Sequence, residues 1–307
     1  MNRLLIISLL FFLGACSESL VPKTEGAPSN TDHISVITED YELVKTSSQE
    51  GFLILFPCYP CNAENTRTEF NIMDIAFAHN VSVLLMNFNQ RLWLTDTEKM
   101  NLERIIATAV KENKTDTDNT YMGGFSSGGN VSFLLTDYLK SSESSIQPKG
   151  LFIADSPIDL YALYENAQLT LKKNFSPVAV QEANWIVQTS ETDFGVGDTS
   201  LVNFEDKSPY LSKTKSNRNI SNLKGVNIRL YSEPDTLWWK ENRQAEYENM
   251  NACYIQQLAE DLERLYGKDK VEYIQTLNRG FRANGERHPH SWSIIDEKEL
   301  VESMVGK

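Results

Sequence analysis

Asn119-Thr-Tyr-Met-Gly-Gly-Phe-Ser-Ser-Gly-Gly-Asn130 is the stretch on which the reading of this chain turns. Within it, Gly124-Phe-Ser126-Ser-Gly128 fits Gly-x-Ser-x-Gly, the nucleophile elbow. That pattern sets a serine on a sharp turn between a strand and a helix, with its hydroxyl exposed above a sheet. The turn is crowded, so the positions two before and two after the serine must be very small. Ser127 fails this rule because Phe125 stands two before it, which leaves Ser126 as the candidate nucleophile. A phosphate-cradling loop would need a Lys followed by Ser or Thr after the last glycine, and Asn130-Val131 stands there instead. Behind the turn, Val131, Leu134, Leu135 and Tyr138 recur at the spacing of a helix with one buried face.

Outward from the elbow, the chain alternates between two periodicities. Gly51-Phe-Leu-Ile-Leu-Phe56, the run 81–88 and Gly150-Leu-Phe-Ile-Ala154 are continuous apolar segments, as expected for strands buried on both faces. Val226-Asn-Ile-Arg-Leu-Tyr231 and Val271-Glu-Tyr-Ile-Gln275 complete the set. Helical stripes lie between them: Phe70, Met73 and Phe77; Leu102, Ile105, Ile106 and Ala109; and a long amphipathic stretch over 239–266. A last helix is expected from about Ser291. This βαβα order predicts an α/β fold, a mostly parallel central sheet with helices on both faces. Residues 34–46 read as an antiparallel edge hairpin. Residues 157–222 interrupt the alternation with aromatic side chains set in polar loops, and read as a cap-like insertion within a domain spanning 33–307.

A serine hydroxyl becomes a good nucleophile only when a base removes its proton and an acid orients that base. Strand 226–231 runs into Ser232-Glu-Pro-Asp235, and strand 271–275 is followed by Arg287-His-Pro-His-Ser-Trp292. Asp235 is the candidate acid, with Glu233 as the local rival and Asp155, which also ends a strand, as the distant one. Asp235 is equally suited to cap a helix starting near Trp238. Of four histidines, His33 and His79 lie far from such a strand end, so the candidate base is His290, with His288 as the alternative. Residues 276–287 separate strand from histidine by more than a short loop.

The N-terminus reads as an address. Arg3 is followed by an apolar run over 4–13, too short to span a membrane, which ends in Leu13-Gly-Ala-Cys16. That ending resembles the lipobox of bacterial lipoproteins. The resemblance implies that residues 1–15 are a signal peptide, that Cys16 is lipidated, and that the chain is anchored in a bacterial cell envelope. Residues 16–32, rich in Ser, Thr, Pro and Gly, read as a disordered tether. The formal net charge of −13 makes nucleic acid a poor partner, since binding it requires clustered Lys and Arg.

Taken together, the elbow, the following acid and the His-x-Trp at 290–292 resemble the α/β-hydrolase superfamily, and within it esterase-like serine hydrolases. The resemblance implies cleavage of a small ester-like substrate through an acyl-enzyme, with no metal or organic cofactor. Ser126 would attack, His290 would move the proton and Asp235 would hold the imidazole. Backbone N–H groups must also meet the developing oxyanion. One is expected from Ser127 and another from Cys58 or Tyr59 in the loop Phe56-Pro-Cys-Tyr-Pro-Cys-Asn62, where the prolines have no N–H to give. The His-Gly usual in that loop is missing. Cys58 and Cys61 form a Cys-x-x-Cys between strand and helix, which opens two further readings: a thiol-disulfide oxidoreductase, or a structural disulfide bracing the loop. A non-catalytic binding module on the same fold is a third.

Overall fold

The computed structural model describes residues 33–88, 91–197 and 200–306. The expected signal peptide, tether and Cys16 lie outside them. Eight strands form one sheet: β1 (His33–Ile37), β2 (Tyr41–Thr46), β3 (Gly51–Phe56), β4 (Val81–Met86), β5 (Thr120–Phe125), β6 (Gly150–Ala154), β7 (Asn227–Ser232) and β8 (Val271–Gln275). Their order is β1-β2-β4-β3-β5-β6-β7-β8. The first two pair antiparallel as an edge hairpin, and every pair from β4 to β8 is parallel. Parallel neighbours require crossovers, and helices supply them.

Those helices are α1 (Ala63–Glu69), α2 (Met73–Ala78), α3 (Asp96–Asn113), α4 (Ser127–Ser141), α5 (Leu160–Lys173), α6 (Pro177–Phe194), α7 (Ser200–Glu205), α8 (Thr236–Arg243), α9 (Asn251–Tyr266) and α10 (Glu297–Val305). They lie on both faces because the strand side chains alternate. From β3, Phe52, Ile54 and Phe56 join the core shared with α3, α4 and α9, while Leu53 and Leu55 join the one shared with α2 and α10. Each such buried Leu or Phe contributes roughly 1.5–3 kcal/mol.

Three expected helices differ in detail. The stretch 239–266 divides, because Gln244 adopts a left-handed conformation (φ 50°) and its N–H closes α8 onto the carbonyls of Lys240 and Trp239. The stripe around Phe70 is two short helices, with Phe70 itself the extended residue that ends α1. Trp292–Ile294 is a single 3₁₀ turn, and the last helix begins only at Glu297, capped by Asp296. The interval 157–222 contains α5, α6 and α7.

Candidate active site

β5 enters α4 without a connecting loop, so Ser126 must absorb the whole change of direction. Its backbone is left-handed in φ (φ 55°, ψ −127°), rare for a residue with a side chain. The amide of Ser126 donates to the Ala154 carbonyl at 2.9 Å, which ties the turn to the end of β6. Both flanking glycines are required by space. A Cβ on Gly124 would lie 2.2 Å from the backbone of Gly128, and one on Gly128 would lie 2.3 Å from the Phe56 carbonyl oxygen. The crossing of strand, helix and the loop after β3 therefore leaves room for hydrogen alone.

Asp155 follows β6 directly and is also left-handed (φ 45°). Its N–H donates to Tyr231 O at 2.9 Å and its carbonyl accepts from Asn251 Nδ2 at 2.8 Å, so its backbone is held on both sides. The side chain is buried, and its Oδ2 lies 2.6 Å from Nδ1 of His290. The imidazole packs against the ring of Phe125, the residue that precedes Ser126, at 4.5 Å between centroids. The loop after β8 thus brings His290 against Phe125, and the carboxylate it meets follows β6.

Asp235, the acid expected from the sequence, makes other contacts. Its Oδ1 accepts the N–H of Trp238 at 3.0 Å as the N-cap of α8, and its Oδ2 accepts Arg287 Nη2 at 2.8 Å. Both oxygens are thus engaged by structural partners. Glu233 is buried and accepts from Thr276 Oγ1 (3.0 Å), Arg279 N–H (2.9 Å), Gly280 N–H (3.0 Å) and the Arg287 guanidinium. The segment after β7 therefore serves as an anchor for the long loop 276–290 that delivers the histidine. That loop can be long and still hold its imidazole in place because Glu233 and Asp235 pin it. The sequence did carry a signal for Asp155, a lone acid closing a buried strand. The more familiar location outweighed it.

His288 has a separate task. Its Nδ1 accepts the backbone N–H of His290 at 3.2 Å, and its ring packs against Trp238 at 4.7 Å. Burial, followed by the His290 ring, Arg282 and Arg243, pushes its pKa down to about 3, so it stays neutral and acts as an acceptor.

In the loop after β3, Cys58 and Cys61 form a disulfide with Cα atoms 5.0 Å apart, and Cys61 N–H donates to Cys58 O at 2.7 Å. The Tyr59 amide donates to the Ser127 hydroxyl at 2.7 Å, so of the two donors expected from this loop, that of Tyr59 is already engaged. Ser127 opens α4, where the first amides have no partner within the helix and point outward. From α6, Trp185 stacks flat on the Tyr59 ring, with centroids 4.4 Å apart and planes 9° from parallel.

No protein-family model matches the chain, and no curated protein matches it in sequence. Solved structures do match in shape. An esterase/lipase from an uncultured bacterium superposes with a TM-score of 0.55 at 12% identity, over 92% of this chain and 88% of that one. Carboxyl esterase 2 from the mycorrhizal fungus Tuber melanosporum gives 0.53 at 12%, over 92% and 87%. A hormone-sensitive lipase from a metagenome library gives 0.52 at 12%, over 91% and 86%. With its eight-stranded sheet, its elbow after β5 and this shared shape, the chain has the α/β-hydrolase fold.

Proposed function

We propose that this protein is a serine hydrolase that cleaves carboxylic esters through an acyl-enzyme, with Ser126 as nucleophile, His290 as base and Asp155 as acid. The observation that carries the reading is the 2.6 Å contact between Asp155 Oδ2 and His290 Nδ1, made by a ring lying on Phe125 beside the elbow serine. A carboxylate on Nδ1 fixes the tautomer in which Nε2 is free to take the serine proton. It also stabilises the imidazolium that forms. The proton then passes from Nε2 to the departing alcohol, and a water activated by the same nitrogen releases the acid. The Ser127 amide, with that of Cys58, meets the oxyanion, and α6 covers the site through Trp185.

The esterase and lipase names of proteins with the same fold support this class of substrate. Lipidation at Cys16 belongs to the proposal too, and Cys16→Ala should release the protein from the membrane fraction. Ser126→Ala should abolish both labelling by a fluorophosphonate and hydrolysis of short-chain esters. Retention of either activity would refute the assignment, and an unlabelled wild-type protein would favour a binding module instead.

A further inference from the structure

The Phe125 ring is flanked on two sides. His290 packs on it, and the guanidinium carbon of Arg282 lies 5.8 Å from its centroid. Arg282 lines a cavity of about 130 Å³ whose walls also include the Cys58–Cys61 disulfide, Phe125, Trp292 and Glu69. Glu69 carries charge of the opposite sign, but its Oε2 accepts the Ala283 N–H at 3.0 Å. Among the described residues, no carboxylate lies within 4.0 Å of the Arg282 or Arg243 guanidinium. Burial disfavours the charge on Arg282, while Glu69 and Glu286 act on it from beyond ion-pair distance and Arg243, at the end of α8, opposes them more weakly. A guanidinium without a carboxylate in ion-pair contact thus sits on the ring of Phe125, the residue before Ser126, in a chain whose formal net charge is −13.

Leaving a half-buried guanidinium without a carboxylate is unfavourable, and an anion arriving with the substrate would remove that cost. We propose that Arg282 forms a carboxylate subsite on the Phe125 side of the elbow, so that the preferred esters carry a short anionic arm. This rests on the serine hydrolase reading above and specifies its substrate class. The cavity is small, so the arm it admits is short. Fork-shaped pairing with a carboxylate is the recognition that arginine makes best.

The test uses the full chain and proton release at constant pH. Monomethyl succinate places the carboxylate on the acyl side, and O-acetylglycolate places it on the alcohol side. Methyl 4-methylpentanoate and isobutyl acetate are close neutral counterparts. The expected result is a kcat/KM at least about tenfold higher for one of the two anionic esters than for its neutral counterpart. Arg282→Gln should erase that ratio chiefly through KM, and Arg282→Lys should restore part of it. Equal rates on charged and neutral esters, or an equal loss on both in Arg282→Gln, would overturn the subsite.

Calorimetry of monomethyl succinate on Ser126→Ala supplies a readout independent of turnover. Binding that Arg282→Gln abolishes supports the subsite even if the wild-type protein resists fluorophosphonate, a result that would sink the hydrolase reading alone. Absence of binding together with absence of charge preference sinks the subsite alone, provided that Ser126 labels.

Discussion

At the residue scale, the assignment of the acid separates two carboxylates that look alike in sequence. Asp155 meets the imidazole, while Asp235 caps a helix and holds Arg287. Asp155→Asn should therefore lower kcat by about 10³- to 10⁴-fold, the effect of holding the wrong tautomer, with little change in KM. Asp235→Asn should cost less than about tenfold and act mainly on stability, since asparagine keeps the cap and loses only the charge facing Arg287, worth about 1 kcal/mol. Steady-state kinetics on the two variants decides between them, and the reverse ranking would return Asp235 to the site. Of the proposed site, the turn at Ser126 was legible from the sequence because an elbow needs its glycines, and His290 was singled out by its His-x-Trp. Asp155 was only half legible: its position was visible, but the contact that selects it arises where β6, β7 and the loop after β8 meet in space. His288 adds a pH signature. Its folded pKa of about 3 lies below its ordinary 6.5, so between those values the unfolded chain binds the proton and the folded one does not. Stability must then rise with pH through that window and be lost as pH falls from about 6.5. Thermal unfolding at pH 7.5 and pH 5 should show a smaller acid loss in His288→Asn, whose amide oxygen can still accept the His290 N–H.

At the element scale, the elbow is a junction of three backbones. Gly128→Ala would press a methyl group against the Phe56 and Pro57 carbonyls, 2.3 Å and 2.5 Å from the new atom. Relief requires moving either the start of α4 or the loop that carries Cys58 and Tyr59. A loss of about 3 kcal/mol is expected in urea unfolding, together with a larger relative fall in kcat than in stability. A near-neutral effect would mean that the crossing is looser than described. The strands were readable because burial on both faces produces unbroken apolar runs. The break between α8 and α9 was not, since no glycine or proline marks it, and a glutamine takes the left-handed position instead.

At the scale of the whole molecule, the sheet order brings the C-terminal ends of β5, β6 and β8 to one rim, with β7 between the last two. The residues after β7 hold the histidine loop in place instead of reaching the histidine itself. Glu233→Gln keeps the size of that buried anchor and removes its charge opposite Arg287. It should cost about 3 kcal/mol, the scale for breaking a buried ion pair from one side. It should also lower kcat as His290 loses its setting. Differential scanning calorimetry and kinetics on the same sample would show the two losses together, and an unchanged kcat in a destabilised protein would contradict the link. The βαβα alternation made the architecture predictable. The coupling between β7 and the loop after β8 was not, because its partners stand more than forty residues apart.

The stack of Trp185 on Tyr59 joins the interrupting segment to the loop beside the nucleophile. Indole emission depends on what lies against the ring, so any ligand that parts this pair alters the protein's intrinsic fluorescence. The molecule thus carries an optical reporter beside its proposed site, readable in stopped flow without a dye or a chromogenic leaving group.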